Sequence, residues 1–217
     1  MYHYLLLDLD GTLTVSGEGI TKSVVYALKK LGEPVPEPEI LKKFIGPPLF
    51  DSFQRYCGFT PERAILAAAT FRERYSTVGL FESGPVPGMP ETIHRLRERG
   101  YVLALASSKP EHLCRPIVER FGYAADLREI SGSHGEDERK CVAIRAAMDR
   151  LGLTEADRPA VLMIGDRKFD VEGAAECGIA CLGVEFCGYA APGELARAGA
   201  AAVVQTPAEL EEFILTH

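Results

Sequence analysis

The feature that most constrains the fold is a short apolar run near the start of the chain that stops on two carboxylates. Leu5–Leu7 is followed by Asp8 and, two residues later, by Asp10. Three consecutive aliphatic residues are typical of a strand buried on both faces, as in a parallel sheet. Because residues two apart on an extended chain share a face, both carboxylates are expected to point into one crevice at the carboxyl end of this strand. Gly11 lets the chain turn there and leaves its amide open to an anion.

The rest of the chain divides into a helical part and an alternating part. Residues 15–84 contain several helical patterns separated by Gly and Pro and no convincing strand, whereas strands and helices alternate in residues 85–217. Alternation predicts an α/β fold with a Rossmann-like parallel sheet flanked by helices. We expect residues 1–14 and 85–217 to form this core and residues 15–84 to form a small all-helical cap domain inserted after the first strand. Gly17 and Gly19, at the entry to the insertion, are expected hinges.

Two later strands also end on polar residues. One ends at Ser107 and another at Asp166, with Asp170 one helical turn further on. Ligands of an open parallel sheet bind at the carboxyl ends of its strands, so these residues are expected to join the first two aspartates in one site. Four converging carboxylates repel one another by about 4 kcal/mol per pair at a separation of about 4 Å and an effective dielectric of about 20. Mg²⁺, which prefers oxygen ligands, would offset this repulsion, and Lys140 at the start of a helix would add a positive charge.

The composition limits the partners of the chain. A net charge of −7 argues against a nucleic acid polymer, because binding to a polyanion depends on clustered Lys and Arg. No apolar run approaches the ~20 residues that cross a bilayer, so no membrane partner is expected. The chain enters a strand without a preceding signal segment, and its six cysteines include no CxxC pair. We therefore expect a cytoplasmic protein with reduced thiols. Monomer and dimer both stay open.

Four stretches, taken together, resemble the signature motifs of the haloacid dehalogenase superfamily. They occur in the order of that family and span most of the chain: Asp8-Leu9-Asp10-Gly11-Thr12-Leu13-Thr14, the strand ending in Ser107, the helix start at Lys140, and Gly165-Asp166-Arg167-Lys168-Phe169-Asp170. The helical insertion after the first motif resembles the small cap of the phosphoglycolate phosphatase branch and of its 5′-nucleotidase-like relatives.

This resemblance implies a Mg²⁺-dependent phosphomonoesterase that acts on a small phosphorylated metabolite, as phosphoglycolate phosphatases do. It implies that Asp8 is the nucleophile that forms an aspartyl-phosphate, and that Asp10 acts first as acid and then as base. Asp8, the backbone carbonyl of Asp10 and Asp166 would hold Mg²⁺, and Asp170 would orient metal-bound water or hold Lys140 in place. Contact with the substrate phosphate is implied for four residues: Gly11, Ser107, Ser108 and Lys140.

Several alternatives stay open at this point. A 5′-nucleotidase acting on nucleoside monophosphates is the nearest, followed by a hexose-phosphate mutase and by a non-catalytic phosphate-binding protein. The intact set of Asp8, Asp10, Lys140 and Asp166 argues against the last of these, because a binding protein has no use for an acid/base. The lysine assignment also has an alternative. Many phosphoglycolate phosphatases carry the motif lysine in a Lys-Pro pair, but Lys140 precedes Cys141, whereas Lys109 precedes Pro110. Lys109 is therefore the second candidate for contact with phosphate.

Overall fold

The computed structural model describes residues 1–134 and 139–217. Its strands, in chain order, are β1 (Tyr4–Leu7), β2 (Thr14–Val15), β3 (Gly84–Pro85), β4 (Val102–Pro110), β5 (Leu127–Ser133), β6 (Val161–Gly165), β7 (Ala180–Val184) and β8 (Ala202–Val204). Its α-helices are α1 (Gly17–Lys30), α2 (Pro38–Leu41), α3 (Leu49–Cys57), α4 (Pro61–Tyr75), α5 (Met89–Glu98), α6 (Glu111–Arg120), α7 (Lys140–Arg150), α8 (Lys168–Glu176), α9 (Glu194–Ala198) and α10 (Pro207–Thr216). Short 3-10 helices cover Lys42–Phe44, Gly79–Phe81 and Glu155–Ala160.

Six of these strands form one parallel sheet in the order β5-β4-β1-β6-β7-β8. The apolar run at the start of the chain is a central strand, and all three residues of Leu5–Leu7 are fully buried. Helices α5 to α8 alternate with strands β4 to β7 along the chain, as parallel connections require. The predicted α/β fold with a parallel sheet flanked by helices is confirmed.

The register of β1 brings three strand ends to the same edge of the sheet. Leu7 lies beside Leu105 of β4 and Ile164 of β6. The amide of Asp8 donates a hydrogen bond to the Ile164 carbonyl over 2.9 Å, which extends the pairing by one residue. Ser107, two residues after Leu105, and Asp166, two residues after Ile164, therefore lie at the same edge of the sheet as Asp8.

The chain divides into two compact units. One consists of Met1–Thr14 and Pro85–His217 and contains the six-stranded sheet. The other, Val15–Gly84, contains α1 to α4 and is held by its own apolar core. In that core the buried rings of Phe44 and Phe53 meet edge to face, with centroids 5.1 Å apart. Among the described residues, no helix combines the length and the apolar character needed to cross a membrane.

Three local features differ from the expectation. Thr14–Val15 and Gly84–Pro85 pair as a two-stranded sheet, where no strand was expected, because two residues are too few to show a periodic pattern. The expected hinge Gly19 lies within the first turn of α1. A Cβ atom there would lie 1.9 Å from the Gly79 carbonyl oxygen, so this glycine permits close packing inside the insertion. The sequence pattern predicts a short helix over Val171–Glu176, but α8 begins at Lys168, so its first turn carries Asp170.

Candidate active site

Four aspartates and two lysines lie at the carboxyl edge of the parallel sheet. All six side chains are buried: those of Asp8, Asp10, Lys109, Lys140, Asp166 and Asp170. When all are ionised, the two lysines leave an excess of two negative charges. These groups lie far apart in the sequence: Asp8 and Asp170 are separated by 162 positions. The site therefore carries the charge that a divalent cation would balance.

Lys140, the first residue of α7, forms ion pairs with two of the aspartates. Its Nζ lies 2.5 Å from Oδ1 of Asp8 and 2.6 Å from Oδ1 of Asp170. Burial by itself lowers the pKa of Lys140, but the charges of Asp170 and Asp8 outweigh burial and raise the pKa above its usual value. Lys140 therefore remains cationic between the two carboxylates.

Asp170 has both carboxylate oxygens engaged. Oδ1 pairs with Lys140, and Oδ2 accepts a hydrogen bond from the backbone amide of Arg167 over 3.0 Å. Burial raises the pKa of Asp170 to about 6, although the charge of Lys140 acts in the opposite direction. These contacts tie the first turn of α8 to the first residue of α7. They support the second of the two roles expected for Asp170, holding Lys140 in place.

Asp166 has the opposite environment. It is 2% exposed, and neither of its carboxylate oxygens has a hydrogen-bond partner among the described residues. Burial, followed by the charges of Asp170 and Asp8, raises the pKa of Asp166 well above its usual value. One oxygen from each of Asp8, Asp166 and Asp170 lies within 4.8 Å of the others. A buried carboxylate with two unpartnered oxygens and two carboxylate neighbours fits a hard divalent cation such as Mg²⁺.

Gly11 approaches this carboxylate closely. It has a φ of +88°, and a Cβ atom on it would lie 2.0 Å from Oδ2 of Asp166. Only glycine fits this conformation and this contact without strain. The expectation that its amide is open to a phosphate is not met, because the amide donates to the Thr14 carbonyl over 2.7 Å inside the turn. Gly11 therefore allows the backbone to pack closely against the Asp166 carboxylate.

The end of β4 brings Ser107, Ser108 and Lys109 to the site. Ser107 is 2% exposed, and its Oγ accepts a hydrogen bond from the Lys109 amide over 3.3 Å, so its hydroxyl proton can still be donated. Ser108 is half-buried. The Nζ of Lys109 lies 2.9 Å from Oδ1 and 2.8 Å from Oδ2 of Asp10. The sequence predicts Lys109 as the second candidate for contact with phosphate, whereas in the structure Lys109 forms an ion pair with the Asp10 carboxylate.

Sequence reasoning missed a contact that supports the loop between Asp166 and Asp170. Glu194 of α9 accepts hydrogen bonds from Nε of Arg167 over 3.0 Å and from the amide of Lys168 over 3.1 Å. Arg167 lies inside the last motif, but nothing local to Glu194 indicates this contact. Only the packing of α9 against α8 could reveal it.

The sequence of the chain matches a known family. A sequence model of the haloacid dehalogenase-like hydrolase family matches residues 5–184, a range that includes all the aspartates and lysines of the site. The chain belongs to this family. The predicted superfamily membership is confirmed, and so is the prediction of an enzyme, a phosphatase of the haloacid dehalogenase superfamily.

Relatives of the haloacid dehalogenase-like family carry several functional names. A 5′-nucleotidase from Pseudomonas aeruginosa is 41% identical over 89% of this chain and 87% of its own length. Tyrosine-protein kinase PtkA from Mycobacterium tuberculosis is 35% identical over 81% of this chain but only 59% of its own length. A phosphoglycolate phosphatase from Aliivibrio fischeri is 28% identical over 80% of each chain. The crystal structure of a predicted phosphatase from Clostridium acetobutylicum superposes with a TM-score of 0.92 and 39% identity over the full length of both chains.

Proposed function

We propose that this enzyme is a Mg²⁺-dependent phosphomonoesterase that hydrolyses nucleoside 5′-monophosphates through an aspartyl-phosphate on Asp8. The observation that carries the proposal is the buried carboxylate cluster. In the part of the chain that the structure describes, neither oxygen of Asp166 has a hydrogen-bond partner, while Lys140 pairs with Asp8 and Asp170. Such a cluster holds a metal and a nucleophile together. The substrate class is supported by the 41% identity to a 5′-nucleotidase.

Asp8 is assigned the role of nucleophile. Its oxygen attacks phosphorus as the ester P–O bond breaks, which leaves an aspartyl-phosphate. Lys140, 2.5 Å from Asp8 and cationic, offsets the negative charge of the transferred group. The hydroxyls of Ser107 and Ser108 are assigned as donors to phosphate oxygens.

Asp10 is assigned the role of acid and base. It gives a proton to the leaving oxygen in the first half of the reaction, and in the second half it takes a proton from the water that attacks the aspartyl-phosphate. Asp10 follows Asp8 by two residues, so one short segment supplies both groups. One carboxyl group serves both halves because the proton lost in the first is regained in the second.

Asp8, Asp166 and the backbone carbonyl of Asp10 are assigned as the residues that hold Mg²⁺, which would offset the charge of the nucleophile and the phosphate. Asp170 is assigned the role of holding Lys140 in place, because its two oxygens already contact Lys140 and the Arg167 amide. The unpartnered oxygens of Asp166 support this division of roles.

A second substrate class is 2-phosphoglycolate. It is favoured by the likeness of the helical insertion to the phosphoglycolate phosphatase branch and by relatives of that name at 26–28% identity. The higher identity of the 5′-nucleotidase ranks nucleoside 5′-monophosphates first.

The proposal is tested with purified enzyme and a panel of nucleoside 5′-monophosphates, 2-phosphoglycolate and hexose phosphates, each with Mg²⁺ and with EDTA. We expect release of inorganic phosphate that requires Mg²⁺, is fastest with the nucleotides and is lost in Asp8→Asn. Asp149→Asn, which changes an exposed carboxylate, is the matched control. Metal-independent turnover or full activity of Asp8→Asn contradicts the mechanism. Transfer of phosphate from ATP to a protein, without release of inorganic phosphate, would instead indicate a protein kinase reaction, as the name of the PtkA relative states.

A further inference from the structure

A second buried ion pair lies beside the one formed by Lys140. The Nζ of Lys109 contacts both carboxylate oxygens of Asp10, over 2.9 and 2.8 Å, and the two side chains are only 7% and 12% exposed. A lysine ammonium has three donors, so this contact uses two of them on one carboxylate. Because Lys109 contacts both oxygens, it restricts the rotation of the Asp10 carboxylate and also balances its negative charge.

The backbone of Lys109 is itself held on several sides. Its amide donates to Oγ of Ser107 over 3.3 Å, and its carbonyl accepts the weak Sγ–H hydrogen bond of Cys114 over 3.6 Å. Gly132 of β5 packs against the same carbonyl, where a Cβ atom would lie 2.6 Å from the oxygen. These contacts fix the point from which the Lys109 side chain extends. Lys109 is thus placed as a rigid support and not as a mobile surface cation.

We propose that Lys109 is a positioning residue that holds the Asp10 carboxylate as the base for hydrolysis of the aspartyl-phosphate. The inference rests on the proposed function, because it requires that Asp10 act on that intermediate. In this step a water proton passes to an Asp10 oxygen, the water oxygen bonds to phosphorus, and the bond from phosphorus to the Asp8 oxygen breaks. Lys109 keeps its protons throughout, because it orients the acceptor and exchanges nothing with it.

A positioning role differs measurably from contact with the substrate phosphate. Loss of a residue that binds the substrate phosphate slows the first half of the reaction, so kcat/KM falls for every ester. Loss of the support for Asp10 slows the second half, so kcat and KM fall together and kcat/KM stays unchanged. 4-Nitrophenyl phosphate is the suitable probe, because its leaving group departs without a proton from Asp10. The first half then proceeds normally while the intermediate accumulates.

The experiment compares wild type with Lys109→Met in stopped flow with Mg²⁺ and 4-nitrophenyl phosphate. We expect a burst of about one equivalent of nitrophenolate per active site, followed by a steady state about 100-fold slower than wild type, since a displacement of about 1 Å costs that much. The value of kcat/KM should stay within about threefold. Lys109→Arg, which keeps the charge, should recover most of the loss. Lys30→Met, which removes an exposed ion pair with Glu73, should behave as wild type.

Asp10 supplies the internal check. Adding Lys109→Met to Asp10→Asn should cause no further loss of kcat, because the support has nothing left to hold. A lower kcat/KM without a burst, or additive losses in the double variant, overturns the inference and leaves the phosphatase proposal intact. Inactive wild type refutes the proposed function instead, and the urea midpoints of the two single variants and the double variant then still report whether the pair forms. If Lys109→Met does not fold, Lys109→Gln serves as the uncharged variant in the same comparison.

Discussion

Replacing Asp166 by asparagine tests two effects of the buried carboxylate: how much it destabilises the metal-free protein, and how much it contributes to stabilisation by Mg²⁺. In the metal-free protein, ionised Asp166 faces Asp8 and Asp170, with one oxygen of each within 4.8 Å. Since those two share Lys140, about one of their negative charges is not neutralised. A pair of like charges at that separation costs about 3.5 kcal/mol at an effective dielectric of about 20. Asparagine removes the charge but is itself a buried polar group that costs about 1–3 kcal/mol, so the expected net gain is about 0.5–2.5 kcal/mol.

The sign of the pH dependence follows from the raised pKa of Asp166. The folded protein holds the Asp166 proton more tightly than the unfolded chain, whose aspartates titrate near pH ~3.9. The contribution of Asp166 to the free energy of unfolding of the wild type therefore falls as the pH rises above that value. We expect Asp166→Asn and wild type to differ little at low pH. The gap in favour of the variant should widen toward neutral pH, as measured by urea unfolding in EDTA.

Mg²⁺ should reverse this order. A thousandfold excess over Kd stabilises a protein with one site by about 4.1 kcal/mol, and Asp166→Asn should lose most of that gain. Wild type is then the more stable protein with Mg²⁺ and the less stable one with EDTA. The exposed control Asp149→Asn should shift neither value by more than about 0.5 kcal/mol. A metal-free Asp166→Asn that is less stable than wild type, or equal stabilisation of both by Mg²⁺, refutes the reasoning.

Three further perturbations test other parts of the site. Lys140→Met leaves Asp8 and Asp170 unpaired and should lower the free energy of unfolding in EDTA by about 3–5 kcal/mol, with loss of turnover; a loss below about 1 kcal/mol by urea titration would contradict this. Gly11→Ala places a methyl group 2.0 Å from Asp166 Oδ2 and strains a φ of +88°, so calorimetry should detect weaker Mg²⁺ binding; unchanged affinity argues against the contact. Tyr123→Phe removes the hydrogen bond from its hydroxyl to the Leu13 carbonyl and should cost about 1 kcal/mol with Mg²⁺ affinity intact; thermal unfolding measures it.

Local sequence predicted the fold because its signals are short in range. The aliphatic run Leu5–Leu7, the alternation after residue 85 and the polar strand ends need no knowledge of the rest of the chain. The parallel sheet then follows, since strands joined by helical crossovers pair in parallel. The same reasoning placed Ser107 and Asp166 at one edge, where the structure has them. It could not find the pairing of β2 with β3, which are two residues each.

What the sequence by itself determined is the set of chemical groups and the sheet edge at which they meet, because residue type and strand order fix both. Only the tertiary structure decided how the charges pair. Lys109 reaches Asp10 across 99 positions of sequence, Lys140 lies between Asp8 and Asp170, and Asp166 is left with neither. These assignments depend on side-chain packing within a few ångströms. No pattern in the chain encodes distances on that scale.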